Sequence, residues 1–277
     1  MERGTVLTTG ANSGIGLATV VELARIGFHS IGSVRSEAKS DVVMKAAADA
    51  GVSGHVDTVI LDVTDADACA ATIDLLPPLT GLVNNAGFGL TGAVEDVTDD
   101  EAHALFETMV HAPVRLARLA LPRMVENGGG RIVNVSSIAG RTTSPLAGHY
   151  TAAKHALEAL SDALRIEVAS RGVHVALVEP GGFKTNIWED MEADIAKHED
   201  AGSRFVTAYR RSMSGQRVLE RLMGDPTQCA KTIGTALTTR LPRARYLVGA
   251  DARALLLADT LTPTAVKDFF LRRGLSL

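Results

Sequence analysis

Short, nearly continuous apolar runs alternate along this chain with longer stretches whose apolar positions recur at helical spacing. The runs beginning at Thr5, His29, Val56, Gly81, Arg131, Val173 and Tyr246 read as strands. Ile132 to Val135 and Val173 to Val178 lack an in–out alternation, as expected for strands covered on both faces of a parallel sheet. Between them, helices are predicted from about Ile15 to before Gly27, from Ser36 to about Ala50, from Thr98 toward Met124 and from about Tyr150 to Ser170. Thr98-Asp99-Asp100-Glu101 has the form of a capping box. Asp225-Pro226 reads as an N-cap followed by proline at the first helical position. Strand–helix alternation of this kind specifies an α/β, doubly wound Rossmann fold: a seven-stranded parallel sheet with helices on both faces.

The alternation lapses between Gly181 and Gly224, a connection long enough to carry helices and a function of its own. The expectation is one domain over residues 1–277, with a helical lid at 181–225 inserted in it. No repeat, low-complexity tract or Pro/Gly/Ser-rich linker divides the chain.

Composition narrows the function classes. A net charge of −4 and 4% aromatic residues disfavour a nucleic-acid partner, which needs basic surface and stacking platforms. Two distant cysteines, Cys69 and Cys229, make neither a disulfide framework nor a metal cluster. His103, His155, His174 and His198 have no ligand spacing, so no metal is expected. The opening residues lack a signal-peptide pattern and no apolar run approaches a membrane span, which points to the cytoplasm.

The first strand runs into Thr9-Gly10-Ala11-Asn12-Ser13-Gly14-Ile15-Gly16 and then a helix. Glycines there let the chain turn sharply and let a pyrophosphate approach the backbone, while the helix N-terminus offers free amides. Asn84-Asn85-Ala86-Gly87, Ser137, Tyr150-Thr151-Ala152-Ala153-Lys154 and Pro180-Gly181-Gly182 follow in order. With these motifs the sequence resembles the short-chain dehydrogenase/reductase family, densely from Thr5 to about Thr185 and loosely beyond.

Cofactor choice turns on the second strand's end. NAD binders place an acidic residue there for the ribose 2′-hydroxyl, and an arginine nearby accommodates a 2′-phosphate. Here Val34 stands at the acidic position with Arg35 beside it, which points to NADP(H). The alternative is that Arg35 is a solvated loop residue. By resemblance, Gly10, Asn12, Ser13, Gly14, Ile15 and Gly16 would hold the pyrophosphate, and Asp62 and Val63 the adenine edge. Asn84, Ala86 and Gly87 would lie beside the adenosine ribose, although Asn84-Asn85 is also ordinary turn chemistry. Pro180, Gly181 and Thr185 would border the nicotinamide.

Tyr150 and Lys154 are four apart on a helix and share a face. A nearby ammonium makes a phenol a better catalyst near neutrality. The resemblance implies that Tyr150 is the general acid/base, that Ser137 polarises the substrate oxygen, and that Lys154 lowers the tyrosine pKa and holds the nicotinamide ribose. One family feature is missing: the helix asparagine, whose kink frees a main-chain carbonyl for a water linked to the lysine, aligns with Met109. Lost or impaired catalysis is one reading. In the other, Pro113 cannot donate an N–H to the Met109 carbonyl four residues back, so the backbone kink survives. Pro113 bending a long helix and nothing more is the plain alternative.

Phe88, Leu146, Phe183 and Trp188 are candidate walls of an apolar substrate pocket, although such stripes are more often packed core. The sequence thus points to an NADP(H)-dependent oxidoreductase acting on a small apolar carbonyl or alcohol, as a homodimer or homotetramer by resemblance. A non-catalytic NADP(H)-binding sensor is the rival, and sugar-nucleotide epimerisation or dehydration a third reading.

Overall fold

Parallel strands buried on both faces need helices on both sides, and the chain supplies them by crossing the sheet after almost every strand. The computed structural model describes residues 3–185, 187–219 and 223–277, and the side chains of residues 215–219 lie outside the description. Its strands are β1 (Thr5–Thr8), β2 (His29–Val34), β3 (Val56–Ile60), β4 (Leu79–Asn84), β5 (Gly130–Val135), β6 (Val173–Pro180) and β7 (Arg245–Val248). They form one seven-stranded sheet in the order β3-β2-β1-β4-β5-β6-β7, every pair parallel. Sequence order reverses between β1 and β4, where a doubly wound sheet opens its ligand crevice.

One face is covered by α1 (Gly14–Arg25), α2 (Glu37–Asp49) and α9 (Thr227–Thr238), whose Val20, Leu23, Val43, Cys229 and Ile233 pack in core clusters with strand residues. The other carries α3 (Ala66–Leu75), α5 (Ala112–Glu126) and the end of α6 (Gly148–Glu167), packing Cys69, Ile73, Leu116 and Leu164 with Leu7, Leu82 and Ile132. The lid comprises α7 (Ile187–Asp200) and α8 (Val206–Leu219), and after β7 come α10 (Ala250–Leu261) and α11 (Thr264–Leu275). No helix among the described residues is long and apolar enough to cross a membrane.

Strand β4 begins at Leu79 rather than Gly81, because Leu79 pairs with Thr5 across a register shift. The helix expected from Thr98 toward Met124 is interrupted. Its capping box forms as read, with the Thr98 side chain accepting from the Glu101 amide and Glu101 reaching back. After α4 (Asp99–Phe106), however, the chain makes a π-turn over Glu107–His111 before α5 starts.

Leu82 is fully buried between the helical layers. Its truncation (Leu82→Ala) is expected to lower unfolding free energy by roughly 2–5 kcal/mol, seen as a shifted urea midpoint at unchanged slope. A loss under about 1 kcal/mol would contradict this packing.

Candidate active site

The loop after β1 is shaped by contacts that no longer side chain would permit. A Cβ on Gly16 would overlap the Gly10 carbonyl and come within 2.5 Å of Asn85 Nδ2. That Asn85 amide donates to the carbonyls of Thr9 (2.9 Å) and Gly10 (3.1 Å), fixing the loop against the end of β4. The Thr9 hydroxyl in turn accepts the N–H groups of Asn85 and Ala86, both at 3.0 Å. Ser13 caps α1 by position only, without a side-chain hydrogen bond. The first amides of α1 therefore face the crevice beside Asn12, Gly14 and Ile15, which suits an anionic pyrophosphate. Asn85 is a residue that motif reading passed over; its signal was an amide side chain next to a loop rich in carbonyls.

Where β2 ends, Val34 is buried in the core and Arg35 projects at the exposed rim. The Asp62 carboxylate accepts from the amide (3.0 Å) and hydroxyl (2.8 Å) of Thr64. The Thr64 amide chiefly, aided by its hydroxyl and the Arg35 charge, holds Asp62 below the usual carboxylate range despite partial burial. Val63 is buried, and its carbonyl receives Arg115. Asn84 is also buried, bracing the sheet through its Nδ2 bonds to Asn134 Oδ1 (2.8 Å) and the Pro113 carbonyl (3.3 Å).

Ser137, Tyr150 and Lys154 converge where β5 ends and α6 begins. Ser137 leaves β5 in an extended conformation, and its hydroxyl accepts the Ala139 amide at 3.1 Å while lying beside the Tyr150 phenol. Burial pushes the Tyr150 phenol up to about 12, the neighbouring serine hydroxyl opposing it. Lys154, one helical turn on, is buried, with Nζ 5.8 Å from the Tyr150 ring centroid and donating to the Val135 carbonyl at 3.0 Å. Burial lowers its ammonium to about 8, while the Glu158 carboxylate one further turn along acts the other way. A protonated phenol, a serine hydroxyl and a buried cation thus share one corner.

Met109 is the central residue of the π-turn and is buried against Phe88, Leu90 and Tyr150. Its methyl carbon would lie 2.7 Å from a Cβ on Gly87, so that glycine makes room for it. The Ala112 amide bonds back to Glu107, five residues away, in the π register. Pro113, which follows, has no N–H for the Met109 carbonyl. Arg115 braces this turn by donating to Glu107 at 2.5 Å and to the Val63 carbonyl at 3.0 Å.

On the lid side, successive odd-numbered amides of the 88–93 segment are held by lid groups. Gly89 N–H donates to Asp190 (3.1 Å), Thr91 N–H to Asp194 (2.7 Å) and Ala93 N–H to the Tyr209 hydroxyl (2.7 Å). Phe88 is half-buried beside Met109 and Tyr150. Leu146, at a positive φ of 65°, packs with Ala93, Ile195 and Tyr209 beneath the lid. An apolar groove of about 410 Å³ opens beside it, lined by Ala93, Val94, Pro145, Leu146 and Phe205 among others. Phe183 departs from the pocket role expected of it. It is 3% exposed and belongs to the sheet core with Cys229 and Val248, because the backbone bridge from Phe183 to Gly224 turns its ring inward. Trp188 is half-buried, its Nε1 tied to the Phe183 carbonyl at 2.8 Å. Pro180 ends β6, Gly181 and Gly182 follow it, and Thr185 packs on Gly14 of the glycine loop. Among the described residues, no three His, Cys, Asp or Glu side chains gather to hold a metal.

Comparison with known proteins identifies relatives in sequence and fold. The family described as short chain dehydrogenase matches residues 4–196. An uncharacterized oxidoreductase of Bacillus subtilis, YusZ, is 33% identical, covering 99% of each chain. A crystal structure of a short-chain dehydrogenase from Streptomyces avermitilis superposes with a TM-score of 0.78 at 32% identity, over 100% of this chain and 98% of its own. A variant of actinorhodin polyketide ketoreductase, solved with NADPH, gives 0.75 at 25% identity over 91% and 98%.

Burying the Lys154 ammonium costs stability. Its pKa falls from 10.5 unfolded to about 8 folded, so between those values the unfolded chain binds more protons and stability rises with pH. Below pH ~8 the full penalty of about 3 kcal/mol applies. Lys154→Met is therefore expected to raise the melting temperature at pH 7, with an advantage that shrinks from pH 8 to 10.5. A variant destabilised equally at every pH would contradict the assigned burial cost.

Proposed function

Because this chain belongs to the short-chain dehydrogenase family, we propose that it is an NADP(H)-dependent oxidoreductase that reduces an apolar ketone or aldehyde, or oxidises the corresponding alcohol. One observation carries the reading: Tyr150 beside the Ser137 hydroxyl, with the buried Lys154 ammonium 5.8 Å from its ring. A fold kept only to bind a nucleotide would need neither the serine nor the tyrosine acid.

The glycine loop and the α1 amides fit a dinucleotide pyrophosphate, and exposed Arg35 beside buried Val34 fits a ribose 2′-phosphate. When bound, the nicotinamide supplies or accepts the hydride. Ser137 donates to the substrate oxygen and polarises the carbonyl. Tyr150, protonated across the neutral range, gives its proton to that oxygen as negative charge develops there. Lys154 stabilises the phenolate left behind through its nearby positive charge. The π-turn at Met109, followed by Pro113, keeps a bent helix behind the lysine in place of the family asparagine. Phe88, packed beside Met109 and Tyr150, favours an apolar substrate. The NADPH-bound ketoreductase among the structural relatives supports both coenzyme and reaction class. A reducing cytoplasm and a homodimer or homotetramer complete the reading.

Screening hydrophobic ketones for NADPH oxidation tests it. Tyr150→Phe is expected to reduce turnover by about 10²–10⁴-fold, and turnover unaffected by it would remove Tyr150 from the mechanism. Arg35→Ala is expected to weaken NADPH by about tenfold while leaving NADH unchanged; equal losses for both would mean Arg35 does not read the phosphate. The kcat/KM for reduction should fall as pH rises through about 8, where the free enzyme loses the Lys154 proton. A profile flat to pH 10 would contradict that role.

A further inference from the structure

The Pro180-Gly181-Gly182 turn carries two glycines, yet neither has a positive φ among the described residues. At Gly181 the reason is a side chain from beyond the matched family region, and Gly182 abuts the same side chain. A Cβ on Gly181 would come within 2.6 Å of Asp251 Oδ1 and Cγ, and one on Gly182 within 3.5 Å of Oδ2. A Cβ on Gly249, at φ +108°, would overlap the same carboxylate. Three glycines from two separate segments thus frame one carboxylate, and that carboxylate accepts the Gly182 N–H at 2.6 Å. Asp251 lies in the first turn of α10, where the helix dipole favours its negative charge.

The rest of the turn is tied down as well. Gly181 N–H donates to Val248 (2.9 Å), Lys184 N–H to Gly224 (3.2 Å), and Gly224 N–H to Gly182 (2.9 Å). Among these anchors only Asp251 carries a charge, and it holds the middle of the turn. Three residues past Gly182, Thr185 rests on Gly14 of the glycine loop. A shift at Gly182 is therefore passed directly to the contact between the turn and the pyrophosphate loop.

We infer that Asp251 is a positioning residue for coenzyme binding: its carboxylate, seated among Gly181, Gly182 and Gly249, sets the turn that borders the nicotinamide. This rests on the coenzyme reading above. The charge-assisted bond to Gly182 is what Asp251→Ala removes, whereas Asp251→Asn keeps an acceptor oxygen in the same place.

The single tryptophan of the chain, Trp188, is hydrogen-bonded to this turn and serves as the reporter. Energy transfer from Trp188 to added NADPH gives the dissociation constant, and thermal melting follows the fold independently. Asp251→Ala is expected to weaken NADPH by about tenfold, Asp251→Asn by less, and neither to lower the melting temperature in proportion. Gly181→Ala should weaken NADPH as well, because its Cβ meets the carboxylate. Combined with Asp251→Ala it should add little, since the space is then free. Unchanged NADPH affinity in Asp251→Ala, or losses that multiply in the double variant, would overturn the inference and leave the coenzyme reading standing. Failure of the unaltered protein to bind NADPH would overturn both.

Discussion

A lysine ammonium buried at the end of a parallel sheet is the constraint around which the rest of this molecule is arranged. Lys154 donates to the Val135 carbonyl, the last residue of β5, and so pins the start of α6 to the strand that delivers Ser137. Without that bond the cation would sit in apolar surroundings with no partner, a cost no fold keeps without a use. The same bond sets the reach of Tyr150, one turn earlier. The phenol, raised by burial, stays protonated, while burial lowers the ammonium. In the proposed reaction these two groups, driven in opposite directions by one environment, serve as acid and electrostatic support.

Around this corner the structure couples parts that are distant in sequence. Asn85 holds the glycine loop to β4, and Asn84 joins β4 to β5 and to α5. Arg115 ties the π-turn to Val63, just beyond the end of β3. The lid grips the 88–93 segment through Asp190, Asp194 and Tyr209, so its seating is polar at the rim and apolar beneath.

Much of this could be read in the sequence because it is local. Strand runs such as Ile132 to Val135, the Thr98 capping box and the loop from Gly10 to Gly16 each announce themselves within a few residues, and the sheet they predict is the one observed. What escaped reading depends on partners far along the chain. At Met109 the bend itself was one reading of the adjoining Pro113, but its bracing through Arg115 on the Val63 carbonyl was not legible. Phe183 looked like a pocket wall because its segment is apolar, yet pairing with Gly224 turns it into the core. The glycines after Pro180 gave no hint that a carboxylate some seventy residues later occupies the space between them. Spacing along a chain encodes helices and strands; it does not encode which side chain fills a gap left by another segment.

Lys154 is buried, and its surroundings lower its ammonium to about 8, still charged at neutral pH. Labelling lysine at Cε and following the side-chain carbon resonances against pH in the coenzyme-free protein measures that shift. One lysine is expected to titrate near 8 rather than 10.5, with that signal absent in Lys154→Met. If every lysine titrates near its ordinary value, the ammonium is solvated and the catalytic corner built on it does not exist.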